Sequence, residues 1–206
     1  MERVKGLRQR TRRWLSGLRH GDVGYNFPIS EWDRRYREGE WDVFESVHEV
    51  PRYVVTAAYV KQLKSQPTVL DAGCGYGTLA RHIDPFGYSH YTGLDLSGEA
   101  IARAQGDNIR DSEFIQCDWN DWSTDRKFDV VVFCDSICHS RAPADTLRHY
   151  SGMLNDGGGI VVTLFRHRNM ARIWKTIRAN FDVAFGATVT NSIGQTWDVA
   201  AIPVRR

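Results

Sequence analysis

Residues 69–78 read Val-Leu-Asp-Ala-Gly-Cys-Gly-Tyr-Gly-Thr, a passage that leaves an apolar strand, crosses a glycine-rich turn and opens a helix. Its three glycines, Gly73, Gly75 and Gly77, let the backbone turn sharply and approach a ligand with no Cβ in the way. A glycine-rich loop alone is weak evidence, because structural turns also use glycine. The position of this loop after the first predicted strand strengthens the evidence for a ligand site, since open α/β sheets bind ligands at the carboxyl ends of their strands.

Outward from this turn, the chain alternates between apolar runs and segments of helical periodicity. The apolar runs predict strands covered on both faces, and the repeated strand–helix units predict a doubly wound, mostly parallel α/β sheet in a single domain. The predicted strands are Thr68–Ala72, His90–Asp95, Glu113–Gln116, Phe128–Cys134 and Gly159–Phe165. The predicted helices are Thr78–Ile83, Gly98–Gln105, Ala144–Leu154 and Asn169–Asn180.

The end of the chain has a different pattern. Phe181–Thr190 and Thr196–Val204 follow one another across a glycine-containing turn at Asn191–Gly194. This arrangement predicts a C-terminal antiparallel hairpin that closes the sheet.

The segment before the sheet is predicted to form helices. One lies within the charged and aromatic run Ile29–Trp41, with Ser30 as its N-cap and Gly39 as its stop. A second covers about Pro51–Leu63. The face that this second helix is predicted to bury consists of Val54, Val55, Ala58 and Leu63.

Acidic residues follow the second and third predicted strands. Asp95 lies about 20 residues beyond the glycines, with Leu96 beside it, and a carboxylate there accepts hydrogen bonds from both hydroxyls of a ribose. The alternative role for Asp95 is to cap the next helix. After the third strand, Asp118 is predicted to accept from an adenine amino group and Trp119 or Ile115 to pack on the base; the alternative is that Asp118 is a surface acid.

The charge at the first turn separates two classes of cofactor. A dinucleotide-binding domain shares the glycine turn, but its fingerprint is Gly-x-Gly-x-x-Gly with a pyrophosphate on the helix N-terminus. Here the spacing is Gly73-x-Gly75-x-Gly77, and Asp71 precedes it. Negative charge near a pyrophosphate is unfavourable, whereas near a sulfonium or an α-amino group it is favourable. The sequence therefore favours a cationic cofactor.

These motifs, taken in order, resemble those of the class I S-adenosylmethionine-dependent methyltransferases. The resemblance extends from about Thr68 to Phe165 and includes Phe128-Asp129-Val130-Val131 and Leu154-Asn155-Asp156-Gly157-Gly158-Gly159. It implies S-adenosylmethionine as the cofactor and a seven-stranded sheet whose last strand is antiparallel. The residues to which it gives cofactor roles are Asp71, Gly73, Gly75, Gly77, Asp95, Asp118 and the backbone near Cys134. Cys74, Leu96 and Trp119, beside these residues, are also predicted to bind the cofactor.

On this interpretation the chain has three parts. Residues 1–24 form a basic N-terminal segment, residues 25–66 a helical lid, and residues 67–206 the cofactor-binding methyltransferase domain. In the lid, Tyr36, Trp41 and Arg52 are predicted to contact the cofactor or close over it. The alternative is that the lid aromatics only pack a helix onto the sheet.

The candidates for catalysis follow the fourth strand. Asp135 and His139 come directly after Cys134, and histidine has the intrinsic pKa of a general base. The alternatives are that His139 is structural and that Asp135 only lines the pocket. With Cys138, these two residues resemble a Glu-x-x-Glu-His metal site of some quinone-biosynthesis O-methyltransferases. Because Asp and Cys replace the glutamates, we predict no metal.

Composition adds broader expectations. The 206 residues are 42% hydrophobic, carry a net charge of +2 and contain no apolar run of membrane-spanning length, which favours a soluble cytoplasmic protein. No Cys-x-x-Cys pair is present, so the four cysteines are expected to stay reduced. The basic residues near the start are Arg3, Lys5, Arg8, Arg10, Arg12, Arg13 and Arg19.

That basic segment leaves several partners open. It is predicted to be a solvated tail or an amphipathic helix that contacts an anionic membrane surface, the active site or a second subunit. The net charge gives no strong support for a nucleic-acid partner. We predict a monomer or a homodimer.

The favoured function is methyl transfer to an oxygen or nitrogen of a small-molecule acceptor, such as a metabolite, natural product or sugar. One alternative is an RNA or protein methyltransferase that uses the basic N-terminus. Another is a non-catalytic subunit that binds the cofactor.

Overall fold

The computed structural model describes residues 27–167 and 170–204, so the predicted basic segment lies outside the described residues. The strands form a seven-stranded sheet in the order β3-β2-β1-β4-β5-β7-β6. Strands β1 to β5 pair in parallel, whereas β7 is antiparallel to both β5 and β6. The strands are β1 Thr68–Ala72, β2 His90–Asp95, β3 Ser112–Gln116, β4 Phe128–Cys134, β5 Leu154–Phe165, β6 Phe185–Thr190 and β7 Thr196–Pro203.

Helices cover both faces of this sheet, as the doubly wound prediction requires. The α-helices are α1 Ile29–Arg37, α2 Val50–Leu63, α3 Thr78–Ile83, α4 Gly98–Gly106, α5 Pro143–Ser151 and α6 Met170–Asn180. Short 3₁₀ turns lie at Asp42–Glu45, Asp84–Phe86 and Ile137–His139. None of the helices in the described ranges is both long and apolar enough to cross a bilayer.

Alternate residues of each strand enter two separate cores. On one face, Leu70 and Phe133 pack with Tyr150 of α5 and Trp174 of α6. On the other face, residues such as Val69 pack with α2, α3 and α4. Because neighbouring side chains on a strand point to opposite faces, each central strand has to be apolar throughout. This explains the continuous apolar runs in the sequence.

The predicted buried face of α2 is partly wrong. Val54 is 41% exposed and Ala58 is also exposed, while Arg52 and Thr56 are buried. Both polar side chains have buried partners: Arg52 pairs with Glu49, and Thr56 Oγ1 lies 2.8 Å from Thr163 Oγ1. Polar groups that have hydrogen-bond partners can be buried. Hydrophobicity alone therefore assigned some of the wrong residues to the buried face of α2.

Ser30 is also not the N-cap of α1. The cap position is Pro28, and Ser30 lies inside the helix. Gly39 does follow the helix end with φ of +69°, as a helix stop requires. Strand β5 starts five residues before its prediction, at Leu154, and its pairing with β4 shifts register between Phe128 and Val130.

Candidate active site

A cavity opens at the carboxyl ends of the central strands, where β1 lies between β2 and β4. The chain moves from one side of β1 to the other at this point, which is the switch point where doubly wound sheets bind ligands. The lining combines the ends of β1, β2, β4 and β5 with side chains from α1, α2 and the connection between them.

The glycine turn lies at the base of this cavity. Gly73 has φ of +82°, and a Cβ there would lie 2.5 Å from the Cβ of Ser136. Ser136 lies close because its hydroxyl donates to the carbonyl of Ala72. Gly73 is therefore required both by its backbone conformation and by the approach of the loop after β4.

Gly77 has a different role in the structure. It does not line the cavity, and a Cβ at its position would lie 2.9 Å from the ring of Phe114. Its φ of +69° opens α3, so this glycine shapes the turn and the packing beneath it.

Asp95 lies where a ribose-binding carboxylate is expected. Its Oδ2 accepts from the backbone N–H of Gly75 at 2.9 Å, and its Oδ1 accepts from that of Ser97 at 2.9 Å. Burial raises its pKa to about 6, although these N–H groups and the Tyr36 hydroxyl act to lower it. Each carboxylate oxygen has more than one lone pair, so both retain capacity for ligand hydroxyls.

Asp71 is completely buried at the end of β1. Its Oδ2 accepts from the hydroxyl of Tyr91, while its Oδ1 has no hydrogen-bond partner among the described residues. Burial raises the pKa of this carboxyl to about 7. An unpartnered carboxylate oxygen beside the glycine turn fits a cationic ligand, which supplies the missing partner and stabilises the ionised form.

The loop after β3 also lines the cavity, through Asp118, Trp119 and Asn120. Asp118 accepts from the backbone and side-chain N–H groups of Asn120, both at 3.0 Å, and pairs with Arg141 at 2.9 Å. Trp119 lines the cavity but is 6% exposed and packs edge-on against Phe133.

Asp135 is held by three donors. Its Oδ1 accepts from the backbone N–H of Phe165 at 2.5 Å, and its Oδ2 accepts from Trp197 Nε1 at 3.0 Å and pairs with Arg52 at 3.0 Å. Arg52 also pairs with Glu49 at 2.6 Å, and both side chains are at most 2% exposed. This buried cluster of Glu49, Arg52, Asp135 and Trp197 is called the arginine cluster below.

His139 lies on the 3₁₀ turn that follows β4. Burial lowers its pKa to about 4, so the ring is neutral at pH 7. Its Nδ1 is buried without a partner among the described residues, and the residue lines the cavity. The ring of Trp32 meets it edge to face at 5.3 Å between centroids.

Helix α1, in the predicted lid, is attached to the start of α4 and to the glycine turn by polar contacts. Asp33 of α1 accepts from the Ser97 hydroxyl at 2.6 Å and from the backbone N–H of Glu99 at 3.4 Å, at the N-terminus of α4. The hydroxyl of Tyr76 donates to the carbonyl of Tyr36 at 3.1 Å. Tyr36 thereby lies above the glycine turn, 3.3 Å from the point a Cβ of Gly75 would occupy.

The structure gathers the predicted site residues, except Gly77, around this one cavity. Those that line it are Asp71, Gly73, Cys74, Gly75, Asp95, Leu96, Asp118, Trp119, Cys134, Tyr36, Trp41, Arg52, Asp135 and His139. Sequence reasoning gave no role to Tyr76, Asn120, Ser136, Arg141 and Met170, which also line it. Asn120 and Ser136 follow strand ends, which is the signal that would have found them.

No candidate metal centre emerges from the part of the chain that is described. Within residues 27–167 and 170–204, no group of three or more His, Cys, Asp or Glu side chains is arranged to hold an ion. Cys138 Sγ instead donates to the carbonyl of Asp135 at 3.2 Å.

Fold and site together define a class. A doubly wound sheet with an antiparallel β7, a glycine turn preceded by a buried acid, and a carboxylate ending β2 are the features of a class I methyltransferase domain. A family model described as a methyltransferase domain matches residues 42–183. The chain belongs to this family, the class I S-adenosylmethionine-dependent methyltransferases.

Curated relatives match part of the chain. It is 30% identical over 112 residues to a sterol 24-C-methyltransferase of Neurospora crassa, covering 52% of this chain and 28% of the relative. It is 26% identical over 122 residues to a ubiquinone biosynthesis O-methyltransferase of Nitrosomonas europaea, covering 57% of this chain and 52% of the relative. The chain thus spans about half or less of the length of these relatives.

Solved structures share the fold. A 1,6-didemethyltoxoflavin-N1-methyltransferase of Burkholderia thailandensis superposes with a TM-score of 0.70 at 19% identity, covering 86% of this chain and 87% of that one. The N-methyltransferase NodS of Bradyrhizobium japonicum superposes with a TM-score of 0.68 at 16% identity, covering 81% of this chain and 92% of that one.

Proposed function

We propose that this chain is an enzyme that transfers the methyl group of S-adenosylmethionine to an oxygen or nitrogen of a small-molecule acceptor. The observation that carries the proposal is the pair of buried acids on the two sides of the glycine turn. Asp95 suits a ribose, and Asp71 has an oxygen without a partner among the described residues. S-adenosylmethionine, when bound, supplies a methyl group already activated by a positive sulfur.

The residues around the turn would bind this cofactor in a fixed orientation. Asp95 would accept from the ribose hydroxyls, and Asp118 from the adenine amino group, with Leu96 and Trp119 beside the base. Asp71 would face the cationic part, where opposite charge is favourable in a water-poor site. Tyr36 would cover the turn from the lid side and exclude water.

The residues after β4 would organise the acceptor. A neutral His139 would accept a hydrogen bond from the attacking group through Nε2 and align it with the methyl carbon, which is the main requirement of an in-line displacement. Asp135 would contribute by fixing this loop, since Phe165, Trp197 and Arg52 already engage its oxygens.

A small acceptor is favoured by the lid. The lid lines the cavity and is anchored to the start of α4 through Asp33 and to the glycine turn through Tyr76. Curated relatives named as a sterol 24-C-methyltransferase, a ubiquinone biosynthesis O-methyltransferase and an N-methyltransferase of Papaver somniferum give further support. A neighbour of similar fold from Haloferax volcanii was solved in complex with a methyltransferase activator, but the described residues offer no specific support for such a partner.

Calorimetry with S-adenosylmethionine and with NAD⁺ tests the cofactor assignment. Only the sulfonium compound should bind, because Asp71 disfavours a pyrophosphate. Binding of the dinucleotide alone would overturn the proposal. Turnover is then tested by mass spectrometry of metabolite pools, and a cofactor bound without any methylated product would indicate a non-catalytic subunit.

Replacing Asp95 with Ala should weaken S-adenosylmethionine binding about 10- to 100-fold, because charge-assisted hydrogen bonds to the ribose are lost. The matched control is Asp107→Ala, which removes a half-exposed acid at the end of α4 that pairs with Arg81. Equal affinities for the two variants would remove Asp95 from the ribose.

A further inference from the structure

The cavity has a second half, next to the loop after β4 and the end of β5, that the proposed cofactor contacts do not use. If the proposed function is correct, this half receives the acceptor. The cavity lining on this side includes Trp32, Trp41, Phe44, His139, Leu164 and Phe165. They are mainly aromatic or apolar, and what they present to the cavity defines the chemistry of the acceptor.

Three lid rings form a continuous stack. Trp41 stacks with Trp32, with 5.7 Å between the ring centroids and an interplanar angle of 24°. It also stacks with Phe44, with 5.5 Å between the centroids and an angle of 12°. The guanidinium of Arg52 lies over the ring of Phe44, 5.2 Å from its centroid. With its faces covered by neighbouring rings, Trp41 is left to present its edge to the cavity.

Ring edges and ring faces select different partners. The edge of an aromatic ring carries the positive end of its quadrupole and attracts the electron-rich face of another ring. An ammonium group needs the negative face instead, and Trp41 has none available. Its Nε1 is moreover buried without an acceptor among the described residues, so an oxygen on the acceptor would satisfy an N–H that is otherwise costly to bury.

The described charges of this half already have partners. Arg52 and Asp135 pair with each other at 3.0 Å, and Asp135 is further engaged by Trp197. A charged acceptor entering here would give up its hydration without gaining a free counter-ion among the described residues, which is unfavourable.

We propose that the acceptor is an uncharged, electron-rich aromatic ring bearing a hydroxyl group, packed against the edge of the Trp32–Trp41–Phe44 stack with its hydroxyl hydrogen-bonded to His139 Nε2. In the reaction, a lone pair of the hydroxyl oxygen forms the new bond to the methyl carbon as the carbon–sulfur bond breaks. The electrons of that bond stay on sulfur, which becomes a neutral thioether. The hydroxyl proton leaves through His139 to water.

His139 suits a phenolic hydroxyl better than an aliphatic one. A ring that is neutral at pH 7 accepts a hydrogen bond, but its weak basicity gives little driving force for removing the proton of an alcohol. A phenol is far more acidic than an alcohol, so polarisation by Nε2 is sufficient.

Three catechols that differ in charge test this inference without turnover. In the presence of saturating S-adenosylhomocysteine, calorimetric titrations would compare neutral 4-methylcatechol, cationic dopamine and anionic protocatechuate, with N-acetylglucosamine as a non-aromatic hydroxyl compound. We expect 4-methylcatechol to bind about tenfold more tightly than either charged catechol, and the sugar not to bind. Equal binding of the catechols, tighter binding of the sugar, or no binding of any catechol would overturn the inference.

Variants locate the binding to the stack. Trp32→Leu should weaken 4-methylcatechol binding about fivefold, and His139→Gln should lower the methylation rate more than it weakens catechol binding. Both should bind S-adenosylhomocysteine like the parent protein, which also shows that they are folded. The control is Trp122→Leu, which changes a half-buried tryptophan outside the cavity.

The two proposals fail in different ways. If S-adenosylhomocysteine itself gives no binding heat, the proposed function is wrong. If it binds while Trp32→Leu and Trp122→Leu have the same effect on catechol affinity, only the aromatic acceptor is wrong.

Discussion

The two oxygens of Asp71 have different environments, and this difference gives the residue its function. Oδ2 accepts from Tyr91, whereas Oδ1 has no partner among the described residues, and burial holds the pKa at about 7. The free protein therefore carries this carboxyl partly protonated near neutral pH. A cationic ligand favours the ionised form, so binding and deprotonation are coupled.

This coupling predicts a pH dependence of cofactor binding. Below pH 7 the cation must displace a proton from Asp71, and above pH 7 the carboxylate is already ionised. The affinity for S-adenosylmethionine should therefore rise by about tenfold between pH 6 and pH 8, as expected for one group with a pKa near 7. Calorimetry in buffers of different ionisation enthalpy would measure the released proton.

The control for this prediction is Asp71→Asn, which keeps the shape and can still accept from Tyr91. This variant should bind more weakly and lose most of the pH dependence. If its pH profile has the same slope as that of the parent protein, Asp71 is not the group that titrates.

At the scale of elements, α1 is positioned by its contacts with the start of α4 as well as by hydrophobic packing. Asp33 accepts from Ser97 and from the backbone of Glu99, and Arg37 pairs with Glu99 at 2.6 Å. Ser97 in turn donates its backbone N–H to Asp95. The lid is thus linked through two hydrogen bonds to the residue proposed to bind the ribose.

Replacing Asp33 with Ala should loosen this lid. We expect the affinity for S-adenosylhomocysteine to fall about fivefold, as for the loss of one or two hydrogen bonds, and trypsin to cleave faster within α1 at Arg34, Arg35 or Arg37. Asp145→Ala is the control, because Asp145 pairs with Arg148 on α5. Equal cleavage rates for the two variants would show that Asp33 does not anchor the lid.

At the scale of the molecule, the sequence predicted the sheet well because apolar runs and turn residues are local signals. Strands β1, β2 and β4 have their predicted bounds, and the antiparallel hairpin is confirmed. The arginine cluster could not be predicted from the sequence, because its residues are far apart in the chain, from Glu49 to Trp197, and come together only when it folds. The same holds for the hydrogen bond from Tyr91 to Asp71 on a neighbouring strand.

Trp197 should contribute to stability mainly through its donor to Asp135. We expect Trp197→Phe to lower the free energy of unfolding by about 1–3 kcal/mol more than Trp174→Phe, as measured by urea denaturation. Trp174 is the control because it is also buried, at 4% exposed, but its Nε1 has no partner among the described residues, so its replacement removes no hydrogen bond. Equal losses would mean that the hydrogen bond to Asp135 adds nothing.

The strand order has a consequence for synthesis on the ribosome. Strand β6 emerges before β7, yet in the described sheet it pairs with β7 alone, which lies between β5 and β6. A nascent chain that has reached Thr190 therefore holds the glycine turn and both acids but lacks the indole that fixes Asp135. The ligand site can mature only after translation has passed Pro203 and the last strand has inserted.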